Sequence, residues 1–220
     1  MIRTIRYGFG QAHQHGRQTL KAESRDRRRD EILDIAVALL AERGYRDASM
    51  IEIARRASAS KETLYAWFGD KRGLFEAVIR RNASEVQALL ERHLKAEDSI
   101  ESQLIEFGTA LHQLLLGDSA VAINRAAIAE APSDPTLARL LSQAGREATL
   151  PHFLHLLDAQ VERRSLRIED RAEAAEQFLG LLLGDRQVRR LLGLLAAPSK
   201  GQSRARATQA THRFLALYST

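Results

Sequence analysis

The chain of 220 residues contains no cysteine. Disulfides, thiolate nucleophiles and thiolate metal sites are therefore excluded. Proline is scarce, at four residues, and aromatic side chains make up only 5%. No stretch alternates apolar and polar residues with β-branched enrichment, so no sheet is expected. Apolar runs such as Phe178 to Leu183 fall far short of the ~20 residues a membrane-spanning helix needs. The first thirty residues lack the apolar core of a secretory signal, because Gln, His and Arg interrupt every apolar pair. These absences fit a cytoplasmic protein. Enzyme signatures are missing too: there is no Gly-x-Ser-x-Gly elbow, His-Glu-x-x-His pair or phosphate-binding glycine loop. His13 with His15, and His152 with His155, are pairs without a compelling third ligand, so neither metal nor cofactor is expected.

What is present favours helix. Hydrophobic residues reach 45% and charged residues 28%, with Ala, Leu, Arg and Glu recurring throughout. The net charge is +5, but it is unevenly placed. Residues 1–29 hold eight basic side chains against Glu23 and Asp26, which leaves the rest near neutral. A basic arm on a neutral body points to a polyanion beside the arm. The arm itself, residues 1–27, carries Gly8, Gly10 and Gly16 among Gln and His and reads as poorly ordered.

The most informative stretch runs from Ser49 to Lys71. A first helix precedes it, from about Arg28 to Arg43, with Ile32, Ile35, Ala36, Leu39 and Leu40 on one stripe and Gly44 as its stop. Ser49 with Glu52 then forms a capping box, and Ile51, Ala54 and Ala57 recur at helical spacing. Ser58, Ala59 and Ser60 break the pattern, and Ser60 is a natural N-cap. The next short helix, about Lys61 to Phe68, turns Leu64 and Phe68 inward and Lys61, Glu62, Thr63, Tyr65 and Trp67 outward. Gly69 and Asp70 end it. Two short helices joined by a tight turn make a helix-turn-helix, whose second helix enters the DNA major groove.

The stretch resembles the DNA-binding signature of the TetR family of transcriptional regulators. Ile53, Ala54, Ala57, Ser60, Thr63, Leu64, Tyr65, Phe68, Lys71, Leu74 and Phe75 carry the likeness, with Gly44 and Tyr45 before them. Ser58 and Ala59 depart from it, since the family has glycine and then an apolar residue in the turn. Glu62 departs as well, standing where a small residue is common. Further on, Ile128 to Ala131 and Glu176 to Asp185 resemble the C-terminal domain of the AefR-like branch. Together the resemblances cover everything after about residue 28. They imply an all-α protein with a three-helix DNA-binding domain over residues 28–75. A helical effector-binding and dimerisation domain would follow over residues 76–220.

The residues then take expected roles. Ser49, Ser60, Thr63, Tyr65, Trp67 and Lys71 offer donors to phosphate oxygens. Lys61 and Glu62 are placed to read base edges, and Ala66 to meet a thymine methyl. Arg25, Arg27, Arg28 and Arg29 are expected to lie beside the duplex. A helix starting near Lys71 faces the small core with Leu74, Phe75, Val78 and Ile79. It then continues past Val86, Leu89 and Leu90 into another core, which makes it a lever between the two. Asp98 with Glu101 reads as the start of the next helix. Ser133 to Pro135 opens a later one, which Pro151 kinks or splits. Asp170 with Glu173 launches a helix expected over Ala172 to about Leu195. A last one is expected over about Ser203 to Tyr218.

Polar groups in otherwise apolar stretches mark a candidate effector pocket: His112, Asn124, His152 and Gln177, with Phe107 and Leu111. The helix around Phe178 is apolar nearly all round, so a second buried side is expected. Phe178 and Leu182, with Phe214 and Leu217 of the last helix, are the candidate dimer interface. The sequence thus reads as a homodimeric repressor that binds double-stranded operator DNA. A small apolar or amphipathic effector would release it. The alternative is a helix-turn-helix protein without such an effector, gated by a protein partner or constitutive.

Overall fold

The computed structural model describes residues 10–95 and 98–219, with side chains described for 23–94 and 98–219. Helices follow one another as α1 (Gly10–Asp47), α2 (Met50–Arg56), α3 (Lys61–Phe68), α4 (Lys71–Lys95), α5 (Ile100–Leu116) and α6 (Asp118–Glu130). Then come α7 (Thr136–Leu140), a π-helical turn (Leu141–Arg146), α8 (Glu147–Glu162), α9 (Arg171–Leu183), α10 (Arg186–Leu191) and α11 (Lys200–Tyr218). The only extended pairing among the described residues is a bridge between Leu166 and Ser219.

The apolar periodicity reappears as two cores, except at Ile51, which is 62% exposed while Met50, Ile53 and Ala54 form the buried face of α2. Ile32, Leu39, Ile53, Leu64, Leu74 and Phe75 fill the first. Val86, Leu90, Phe107, Phe153, Phe178 and Phe214 fill the second, with Phe107 and Phe153 stacked at 4.4 Å. Helix α4 runs through both, as the sequence suggested. The first core does not close on itself, however. Ile123, Ala126 and Ala127 of α6, Leu137 and Leu140 of α7, and Ala144 of the π turn complete it.

Polar side chains fix the crossings inside the second core. Gln103 is fully buried; its Nε2 donates to His93 O and Asp98 O, each at 3.2 Å, and its Oε1 accepts from Gln160 Nε2 at 2.9 Å. That amide ties the end of α4 to α5 and α8. His112 Nδ1 lies 3.0 Å from Ser203 Oγ, joining α5 to α11.

Several boundaries differ from expectation. Helix α1 begins at Gly10, so the arm from residue 10 to 27 continues the helix. Its Gln, Ala, Lys, Glu and Arg residues are good helix formers and no proline interrupts them. Arg3 and Arg6 lie outside the described residues. The cap of α5 is Ser99, whose hydroxyl accepts from Ser102 N, and not Asp98. Pro151 sits within α8 without breaking it; the irregularity lies one turn earlier, as the π turn, which loosens the backbone ahead of the ring. The helix expected to reach Leu195 stops at Leu183. Gly184 takes φ +53 there and restarts the chain as α10.

Candidate nucleic-acid interface and effector cavity

Local chemistry explains the helix-turn-helix. Ser49 Oγ accepts from Glu52 N at 3.2 Å and starts α2. The far end closes with Ala59 N on Ala54 O at 3.0 Å and Ser58 N on Arg55 O at 3.2 Å. That pair is a Schellman closure, which needs a left-handed residue at Ser58. Ser58 takes φ +47, a conformation costly to any side chain. Ser60 Oγ then accepts from Thr63 N at 3.0 Å and starts α3. Gly69 ends it at φ +75. A Cβ on Gly73 would stand 2.1 Å from Phe68 O, so glycine there lets α4 close over the end of α3.

This places Lys61, Glu62, Tyr65 and Ala66 outward on one face of α3, with Leu64 and Phe68 buried beneath. The Lys61 ammonium lies 5.8 Å from the Tyr65 ring centre. Thr63 is half-buried, its hydroxyl 3.0 Å from that of Ser60. Trp67 is half-buried against the first core, so its indole serves packing at least as much as the surface. Ser49 and Ser60 are exposed at their helix starts, and Arg27 is exposed on α1.

Two residues expected at the DNA surface are turned elsewhere. Lys71 Nζ donates to Tyr45 O at 2.7 Å and Arg46 O at 3.2 Å, and sits 4.3 Å from the Tyr45 ring centre. Gly44, at φ 74, breaks α1 just before these residues, and the ammonium holds the carbonyls of the short turn that follows the break. Burial draws it below the ordinary lysine value. Arg28 donates to the carbonyls of Ala57 and Ser58 and to Glu31. It holds the helix-turn-helix turn against α1.

Arg25 and Arg29 stand with Arg27 and Arg28 in the basic stretch expected beside the duplex. Their guanidinium groups lie 5.6 Å from the Trp67 ring and 5.3 Å from the Phe68 ring. The signal was their spacing of four, which one helix through residues 25–29 places on one face. Behind the surface, Glu52 accepts hydrogen bonds from Arg55 and Arg56, which hold its carboxyl low, at about 2. Arg56 reaches on to Glu42 of α1 at 2.7 Å, so α1 and α2 are cross-linked by charge.

A cavity of about 420 Å³ lies beside the midpoint of α4. Ile79, Asn82 and Ala83 of α4 form one wall; Phe107 and Leu111 of α5, Asn124 of α6, the π turn, Phe153 of α8 and Leu179 of α9 form the others. Three of the six expected pocket residues are here: Phe107, Leu111 and Asn124. The other three are not. His112 faces α11, where burial and then the Arg186 and Arg206 charges keep its imidazole below the ordinary value. His152 lies partly exposed, 3.8 Å from Glu91. Gln177 Oε1 accepts from the Tyr218 hydroxyl at 2.8 Å.

Residues 32–78 match the tetR family of bacterial regulatory proteins, and residues 102–220 match the AefR-like transcriptional repressor, C-terminal domain. The chain belongs to the TetR family. A TetR regulator from Agrobacterium tumefaciens is 35% identical at TM-score 0.67, over 87% of this chain and 95% of that one. A TetR-family protein from Mesorhizobium loti is 29% identical at TM-score 0.72, over 89% of this chain and 98% of that one. The repressor ComR of Escherichia coli is 37% identical over 84 residues, 38% of this chain and 40% of that protein. YvkB of Bacillus subtilis, a helix-turn-helix regulator, is 36% identical over 80 residues. The matched region spans about two fifths of the length of these curated relatives.

As a TetR-family chain, the protein is a helix-turn-helix DNA-binding transcriptional regulator. The residues expected at its dimer interface need correction. Phe178, Leu182 and Phe214 are fully buried within the protomer, so they hold its own core together. Only Leu217 stays exposed, at 63%. A helix apolar on every side is satisfied here by α5, α8 and α11 packing round it. What α9 leaves outside is a narrower face of Ala172, Glu173, Glu176 and Gly180. A Cβ on Gly180 would meet nothing within 4 Å. Among the described residues no helix is long and apolar enough to cross a membrane.

Proposed function

We propose that this TetR-family regulator is a homodimeric repressor released from its operator when a small apolar or amphipathic molecule enters the cavity beside α4. The carrying observation is the cavity's position. Its wall includes Ile79 and Ala83, and the same helix packs Leu74, Phe75 and Val78 into the DNA-binding core. A ligand that shifts α4 there re-aims α3, because Gly73 seats the first turn of α4 on the end of α3. The volume falls within the ~300–1,000 Å³ of small-molecule sites, and the lining is mostly apolar with a few polar groups. A structural neighbour at 29% identity and TM-score 0.64 is a flavonoid-responsive regulator, FrrA, in keeping with a small-molecule effector.

In this reading Lys61, Glu62 and Ala66 face base edges. Tyr65, Thr63, Ser49, Ser60 and Arg27 position the backbone, and Arg25 and Arg29 add charge alongside. The outer faces of α9 and α11 pair across a two-fold axis, which suits a two-fold operator. The test is anisotropy titration of the intact chain against DNA flanking its own gene, with and without added apolar compounds. Specific binding that such a compound weakens is the expected outcome. Specific binding that no apolar compound changes would leave a DNA-binding protein without a small-molecule effector.

A further inference from the structure

We infer that the effector carries one negative charge on an apolar body, a carboxylate or phenolate, and that Arg146 anchors that charge. The inference rests on the effector reading above. Arg146 is the one charged side chain in the cavity wall, and no carboxylate lines the cavity among the described residues. A cation at the edge of an otherwise apolar lining favours an anionic ligand head over a neutral one. At present its partner is Glu176 of α9, 3.5 Å away, with the two side chains 59% and 72% exposed. Exposed pairs of this kind hold weakly. An incoming acid whose body is buried in the cavity can replace Glu176 at little cost. Thr149, also in the wall, accepts from Gln87 Nε2 at 3.0 Å and keeps its own hydroxyl proton for a ligand oxygen.

The backbone that carries Arg146 makes this more than a surface contact. Leu141, Ser142, Gly145 and Arg146 of the π turn line the cavity, while Ala144 of the same turn is buried in the DNA-binding core. A Cβ on Gly145 would lie 3.6 Å from Ile79 Cγ2 of α4. The turn that holds the anchor is therefore the partition between ligand and core. π turns are rare and cluster at functional sites, because their wide hydrogen-bond ring has a close alternative in the α form. Drawing Arg146 from α9 toward a ligand pulls on that partition. Among the described residues, Glu176 is the one carboxylate within 4 Å of the guanidinium.

The test is calorimetric titration of the intact chain with two matched pairs, decanoate with decanol and cinnamate with cinnamyl alcohol. Each acid that fits should bind about tenfold or more tighter than its alcohol, the value of a charge-assisted hydrogen bond. The better pair shows whether the natural body is alkyl or aromatic. Arg146→Gln should erase the acid preference while leaving the alcohol's affinity within about twofold, which also shows that the cavity is intact. Glu176→Gln should raise acid affinity, since it frees Arg146; it decides the matter if Arg146→Gln does not fold. Acid and alcohol binding alike to the intact chain would overturn the inference and leave the effector reading standing. Acid preference surviving in Arg146→Gln would do the same. If none of the four binds, the effector reading falls and takes this one with it.

Discussion

Ser58→Gly should stabilise the protein, and the gain can be worked from the backbone. Ser58 occupies the left-handed position of the Schellman closure, at φ +47. Holding a side chain there costs roughly 1–2 kcal/mol, and glycine avoids the cost. Glycine loses more backbone freedom on folding, which costs about 0.5–1 kcal/mol. The net gain is on the order of 0.5–1 kcal/mol, or a few degrees in Tm for a chain of this size. No hydrogen bond of the Ser58 hydroxyl opposes this among the described residues. The carbonyl that Arg28 uses belongs to the backbone and stays. Ser58→Ala is the control: it removes the hydroxyl but keeps the strained φ, so it should give no gain. Urea unfolding at fixed protein concentration reads the difference as a shift in midpoint with an unchanged slope. A Ser58→Gly midpoint equal to or below that of Ser58→Ala would refute the strain argument.

Other substitutions separate the roles assigned above. Lys61→Ala should blur sequence preference in operator titrations and leave the melting curve alone. Lys71→Gln should lower the melting temperature, because it releases the carbonyls of Tyr45 and Arg46, at a cost of about 1 kcal/mol. Gly180→Arg puts a bulky charge on the outer face of α9, where the protomer has room. Sedimentation should show monomers that keep their helical circular dichroism, and an unchanged dimer would mean that the interface lies elsewhere. His112 is buried with a lowered pKa, so the unfolded chain binds its proton more readily than the folded one. Its contribution to stability is therefore whole above about pH 6.5 and lost as pH falls below it. In His112→Gln the decline in urea midpoint on acidification should be shallower than in the intact chain.

Much of this fold was legible because its signals are short-range. Ser49, Ser60 and Asp170 cap their helices from two or three residues away, and Ser58 shows its strain in the turn itself. The inward stripes of α1, α3 and α4 needed only a period. What failed depended on neighbours distant in sequence. Lys71 and Arg28 looked free for phosphate because nothing nearby claims them. Their carbonyl acceptors lie 25 to 30 residues away in the chain. The direction of Phe178 could not be read from a helix apolar all round. Leu183 before Gly184 and Asp185 was a readable stop that the apolar run obscured. His112 and Phe107 share α5, but five residues apart they point to different neighbours, and only the packing of α11 decides which one meets the cavity.

The unfinished first core bears on how such proteins diversify. A chain cut near residue 75 would strip Ile123, Ala126, Ala127, Leu137 and Leu140 from the surfaces they cover. The DNA reader is thus not a cassette that can be moved alone. A chimaera that keeps this reader must carry α6, α7 and the π turn with it, or redesign the apolar side of α1 and α4. Changes of operator and of effector in this architecture are then inherited through one shared seam, so drift at Ala126 or Ala144 is felt at both ends.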